Sequence, residues 1–170
     1  MSRRTRRKQA AVAFLQAYDL EGLLAWSRTV SNPTAVLLSL VFDAEELLRW
    51  RAIEALGRVV GEAAPKAPES ARDLIRRVLW LMNDESGGLL WHGPEVIAEI
   101  LVNAPDLQGE YARLLPSFLR EEPFERGSAW ALARLAGVWP EQWRGRVGDI
   151  LPALTDPDPF LRAHAAVALA

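Results

Sequence analysis

Leu151-Pro152-Ala153-Leu154-Thr155-Asp156-Pro157-Asp158-Pro159-Phe160-Leu161-Arg162, followed by Ala163-His164-Ala165-Ala166-Val167-Ala168-Leu169-Ala170, reads as a helix end, a proline-punctuated turn and a helix rich in small residues. Proline stops a helix from within but is tolerated in its first turn, and a turn Asp can accept hydrogen bonds from the free N–H groups of the helix that follows. Leu38 to Gly57 repeats this pattern without a gap: Asp43 falls on Asp156, Leu48 on Leu161, Arg49 on Arg162, Ala52 on Ala165, Ala55 on Ala168 and Leu56 on Leu169. The alanines let one helix approach the next closely, the leucines fill the space between layers, and the Arg is expected to pair with a turn carboxylate of its own or the next unit.

Leu115 to Ala136 is a looser copy, with Pro116, Phe118, Pro123, Phe124, Arg126, Ala129 and Leu135 in comparable roles and Arg120 where the turn Asp would stand. The interval from Arg49 to Arg126 is about twice that from Arg126 to Arg162, so a further copy is expected between. Leu79 to Leu101 supplies it, with Asp84 at the turn. Internal repetition at this spacing is the mark of a helical array. The pattern resembles the HEAT-like repeat family, including the variety found in phycobilin lyases, whose units read L-x-x-L-x-D-x-D-x-x-V/L-R-x-x-A-A-x-A-L.

That resemblance implies an all-α, right-handed α-α superhelix of about five helical pairs forming one domain over 1–170. Residues 1–32 are expected as N-terminal capping helices, and 33–61, 69–103, 107–137 and 140–170 as repeats. Helices are expected near 4–17, 20–30, 33–43, 46–61, 69–83, 93–103, 107–121, 124–137, 140–154 and 158–170. No stretch alternates with period two, so no sheet is predicted. Leu48 to Gly57, Leu79 to Gly88, Pro94 to Ile100 and Arg126 to Leu135 together are similar to a group of small HEAT-like proteins of sulfate-reducing and related bacteria, which bears on the fold alone.

Composition narrows the chemistry. The chain has 170 residues, half of them hydrophobic, and no cysteine, which removes disulfides, thiolate metal sites and thiol nucleophiles and fits a reducing cytoplasm. His92 and His164 lie far apart with no metal-binding spacing, so neither metal nor cofactor is expected. No apolar run reaches the ~20 residues of a membrane helix. Ser2-Arg3-Arg4-Thr5-Arg6-Arg7-Lys8 resembles the charged end of an export signal, but the apolar stretch Ala10 to Ala17 is short and is followed by Asp19 and Glu21, so a basic first helix is expected. Net charge is −2, with 13 basic and 9 acidic residues before residue 81 and 7 and 13 after it. A nucleic-acid groove would normally be basic throughout, so nucleic acid is not expected as a partner. The apolar end Ala165 to Ala170 is a candidate for packing on itself or for contact between copies.

The second helix of each unit would line the concave side of such a stack. That aligns Trp50, Arg51 and Glu54 with Trp91, His92, Glu95 and Glu99, and then with Arg126, Ser128 and Trp130. Trp and Arg are enriched at binding hot spots, so this strip is the candidate site for a protein or peptide partner. Glu95 and Glu99 stand one turn apart on one face. Beside a Trp and a His they could hold a cation, bind a basic partner or do acid-base work. Equally, Glu95 could complement the helix dipole while Glu99 pairs with Arg126 or another basic neighbour. Gly87-Gly88 lengthens the turn before them, and Gly93-Pro94 looks like a helix start. Trp26, Trp80, Trp139 and Trp143 are expected in the core or closing helix ends, Trp130, at the Ala-Ala position of the repeat, is expected in the core rather than as a contact, and Trp50 and Trp91 are the surface candidates. A non-catalytic interaction scaffold is the first expectation. A HEAT-like enzyme or cofactor handler is the alternative, because phycobilin lyases and a class of DNA glycosylases use such stacks, the latter with Trp, Arg and a carboxylate in the groove.

Overall fold

The computed structural model describes residues 2–83, 88–143 and 146–170, apart from the side chain of Gln142. Asp84 and Gly87, expected in the lengthened turn, lie outside the described residues. Among those described the chain is helical and contains no strand.

Local chemistry sets the helix starts. Helix α1 (Arg3–Ala17) is capped by Ser2, whose Oγ accepts from the Thr5 N–H, and closes at Tyr18, held in the left-handed region at φ 53°. Asp19 caps α2 (Leu20–Ser27) through the Gly22 N–H. Asn32, also left-handed, caps α3 (Pro33–Leu40), and Pro33 sits in its first turn, where a missing N–H costs nothing. The long α4 (Glu46–Ala63) is followed by α5 (Pro68–Leu81) and α6 (Gly93–Asn103), the latter two again with proline in the first turn. Then come α8 (Glu125–Val138) and α11 (Pro159–Leu169), capped by Asp158.

Two stretches expected as single helices are not. The segment expected over 107–121 runs as a 3-10 turn (Pro105–Leu107), a short α7 (Gln108–Tyr111) and a 3-10 stretch (Ala112–Arg120). Pro116 lies inside it, lacks an amide N–H and would clash with the carbonyl one turn back, so an α-helix does not propagate through it. The segment expected over 140–154 likewise breaks into α9 (Pro140–Trp143), α10 (Val147–Ile150) and a 3-10 stretch (Leu151–Thr155) begun by Pro152.

Packing runs in two rows. Helices α4, α6, α8 and α11 lie against one another in that order, while α3 packs on α4, α5 on α6, the 3-10 stretch before α8 on α8, and the one before α11 on α11. Helices α1 and α2 close against α4. Helix α6 is central, and every residue from Gly93 to Leu101 is buried. Helices α4 and α6 run side by side in the same direction. Gly57 faces the backbone of Glu99, Gly61 faces Asn103 and Trp50 faces His92, all at the same sequence offset. A Cβ on Gly57 would lie 2.5 Å from the Glu99 carbonyl oxygen, so only glycine lets the two backbones come this close.

The turn Asp and the Arg six residues after it do the same thing in both strict copies. Asp43 Oδ1 accepts from the Glu45 N–H and Asp156 Oδ1 from the Asp158 N–H, while Arg49 donates to the Asp43 carbonyl and Arg162 to the Asp156 carbonyl. The expected carboxylate ladder is therefore corrected. Each Asp side chain is engaged in its own turn, and the Arg ties down a backbone carbonyl of that turn instead. In the looser copy Arg126 does reach a carboxylate, Asp158 of the following unit, at 2.7 Å. Trp80, expected in the core, is exposed on α5, whereas Trp143 is buried.

Candidate functional site

Helices α4, α6 and α8 each contribute two side chains one turn apart to a shared face: Trp50 and Glu54, Glu95 and Glu99, Trp130 and Arg134. Residues at that spacing stack on one side of a helix, so three packed helices present a small array. The Trp50 and Trp130 rings meet at 5.2 Å between centroids, and the His92 ring lies 5.8 Å from Trp50. They border an open groove of about 450 Å³, lined by Tyr18, Leu47, Trp50, Glu54, Trp130 and Arg134 together with Arg51, Ile53 and Glu99.

The charged groups in this groove are mutually engaged. Arg134 donates to Glu99 at 2.7 Å, and that bond raises the guanidinium pKa further. Glu99 is buried and pairs with Arg134, the second of the two expected kinds of partner, which lies about two turns beyond Arg126 along α8. Arg51 donates to the carbonyls of Leu15 and Gln16 at the end of α1, and its guanidinium lies over the Tyr18 ring. Glu54 accepts from the Tyr18 hydroxyl at 2.9 Å and from Arg58 at 3.4 Å. The hydrogen bond to Glu54 is the main reason the Tyr18 hydroxyl titrates above its ordinary range.

Beneath the aromatic rings Glu95 is only 4% exposed, so it is no surface carboxylate. One oxygen lies 3.0 Å from His92 Nδ1 and the other is buried with no hydrogen-bond partner. Gly127 of α8 makes room for it, since a Cβ there would meet the Glu95 carboxylate at 2.4 Å. Gln108 also has an unpartnered buried oxygen, but its amide nitrogen donates to the Leu101 carbonyl, away from this face.

The expected strip is thus divided. Trp50, Arg51, Glu54 and Glu99 line the groove, and His92 and Glu95 adjoin it. Trp91 does not take part: it is 63% exposed and lines a separate hollow of about 280 Å³ with Val41, Phe42 and Arg49. Arg126 is turned toward α11, stacking on Phe160 and bonding Asp158, and Ser128 is buried with its hydroxyl donated to the Leu115 carbonyl. Tyr18 and Arg134 belong to the groove and were not singled out in the sequence. The signal for Arg134 was available in the one-turn spacing of Trp50/Glu54 and Glu95/Glu99, which points to Trp130/Arg134 as the third pair.

Among the described residues no group of three or more His, Cys, Asp or Glu is placed to hold a metal ion, and no helix is long and apolar enough to cross a membrane. No family model matches the chain and no solved structure matches it. It is similar to an uncharacterized protein of Archaeoglobus fulgidus, 34% identical over 103 residues. Those residues are 60% of this chain, and they span about half, 53%, of the relative's length.

Proposed function

We propose that the chain is a HEAT-like stack of helical repeats, a right-handed α-α superhelix forming one domain, and that it acts as a non-catalytic binding module. A segment of a partner protein would lie in the groove over α4, α6 and α8. Support for the stack comes from the recurrence of one Asp-turn and Arg device at both strict copies and from the same-direction packing of α4 on α6. The observation that carries the binding reading is the state of the groove itself. Arg51, Glu54, Glu99 and Arg134 already have partners within the protein, while the surfaces of Trp50 and Trp130 and the exposed Leu47 remain available for contact. A groove with satisfied charges and aromatic walls is suited to burying side chains and poorly suited to proton transfer.

Panning a displayed random-peptide library on the full chain tests this. The wild type should enrich a recurrent motif, and Leu47→Arg should weaken the selected peptide at least about tenfold, as expected for a hot-spot contact. Leu47 is 55% exposed, so this variant should melt like the wild type. Equal peptide affinity in Leu47→Arg would exclude the groove.

One observation favours an enzyme or cofactor handler instead: the buried, half-satisfied Glu95 holding His92 beside Trp50. A carboxylate on one imidazole nitrogen can orient the other toward a ligand. Under that reading a small molecule from a panel of nucleobases and linear tetrapyrroles should raise the melting temperature of the wild type but not of His92→Ala. Stabilisation of neither protein would count against it.

A further inference from the structure

We propose that a second groove, between α1, α3 and α5, binds the phosphate backbone of single-stranded nucleic acid. It has a volume of about 810 Å³ and is lined by Arg3, Arg4, Arg7 and Lys8 of α1 and Arg77 of α5, with no Asp or Glu in the lining. Arg28, Arg58, Arg72, Arg76, Arg126 and Arg134 each pair with a carboxylate, and Arg49, Arg51 and Arg162 donate to backbone carbonyls. None of the five groove cations is in an ion pair among the described residues. Arg7 is instead held by the Ser31 carbonyl at 3.1 Å, which fixes it against the groove wall.

Helix stability does not account for these cations. Four basic residues occupy the first five positions of α1 and no acid stands in its first turn, although the positive end of a helix dipole favours the reverse. An anion in the groove would relieve that repulsion. The net charge of −2 does not oppose it, because screening limits exposed charges to a range of about 8 Å at physiological salt, and the groove lining is uniformly positive.

Two features favour a nucleic-acid strand over an acidic peptide. Four of the five cations are arginines, whose planar fork matches phosphate oxygens in pairs. Phe42, 48% exposed, stands in the same lining and offers a flat face for stacking a base, which a carboxylate-bearing peptide does not need. The site is concave between helices, which admits a single strand, whereas duplex readout requires an element that enters the DNA groove.

Fluorescence anisotropy of the full chain with a labelled oligothymidylate of about eight nucleotides tests the proposal. Binding should be seen at about 50 mM salt and should weaken with a log–log slope near −3 if four or five phosphates are contacted, at about −0.7 each. The double variant Arg4→Ala/Arg77→Ala, altered at two exposed positions on separate helices, should keep its circular dichroism, lose at least about tenfold in affinity and show a slope shallower by about 1.4. Phe42→Ala should lose about tenfold for the oligonucleotide while leaving the affinity for inorganic polyphosphate unchanged. No binding at low salt would overturn the proposal, as would equal affinity in the double variant. Polyglutamate competing as well as the oligonucleotide, with Phe42→Ala without effect, would mark a general anion site and overturn it too.

Discussion

Tyr18 owes its place in the groove to a backbone choice: its left-handed conformation ends α1 and turns the ring over Arg51, with the hydroxyl on Glu54. That hydrogen bond, then the charge of Glu54, raises the pKa of the hydroxyl, so the folded protein holds the neutral phenol beyond the pH at which the unfolded chain would lose its proton. The interaction therefore supports the fold fully below about pH 10, the ordinary tyrosine range, and is lost as pH rises through the raised value. In Glu54→Gln, Tyr18 should titrate closer to its ordinary range. Phenolate absorbance against pH would reveal this, with Tyr18→Phe used to separate the Tyr111 signal, which burial also pushes up. An unchanged Tyr18 titration in Glu54→Gln would contradict the assigned cause.

At the scale of helices, α4 and α6 touch through glycine, and that contact brings Trp50 against His92 and puts Glu54 and Glu99 in one groove. Gly57→Ala should destabilise by about 2 kcal/mol, because its new Cβ meets backbone rather than a movable side chain, and this outweighs alanine's helix preference of about 1 kcal/mol. Gly137→Ala in α8 meets nothing within 4 Å and should be neutral or stabilising by up to about 1 kcal/mol. Urea denaturation of the two variants gives the comparison, and similar shifts in both would deny the close approach.

Helix starts were legible because their signals are local: Ser2, Asp19, Asn32 and Asp158 cap, and Pro33, Pro68 and Pro94 follow the starts. The breaks at 105–120 and 140–155 were less legible, since Pro116 and Pro152 fit a helix start as well as a helix interruption. The residues of the candidate groove were legible along α4 and α6, where side chains one turn apart keep a common register. Legibility failed at Trp91, which precedes α6 and so escapes that register, and at Arg126, drawn off by Asp158 of the next unit. Burial of Glu95 could not be read at all. It depends on Gly127, a residue on another helix that makes space by lacking a side chain.

Across the whole molecule, ion pairs tie separate elements together at the surface: Arg28 with Glu62 joins α2 to α4, Arg72 with Glu110 joins α5 to α7, and Arg126 with Asp158 joins α8 to the start of α11. In each pair the arginine hydrogen bond holds the carboxyl below its ordinary range. Protons therefore bind the unfolded chain first as pH falls, so this contribution is complete above about pH 4.5 and declines as pH drops through the lowered values. Denaturation midpoints measured from pH 6 downward should fall in that window, and less so at ~1 M salt, where exposed pairs are screened. A midpoint rising toward low pH would contradict the assignment.

The two grooves share no lining residue, one being formed on α4, α6 and α8 and the other on α1, α3 and α5, so a strand and a protein segment need not compete. The central claim concerns the first of them, and the seven tryptophans provide a direct reading of it. Their indole N–H signals can be followed by two-dimensional NMR as the panned peptide is added. The account predicts that Trp50 and Trp130 shift or broaden while Trp80 and Trp91 stay in place. Movement of Trp80 and Trp91 with Trp50 and Trp130 unperturbed would put the partner on another surface and contradict the account.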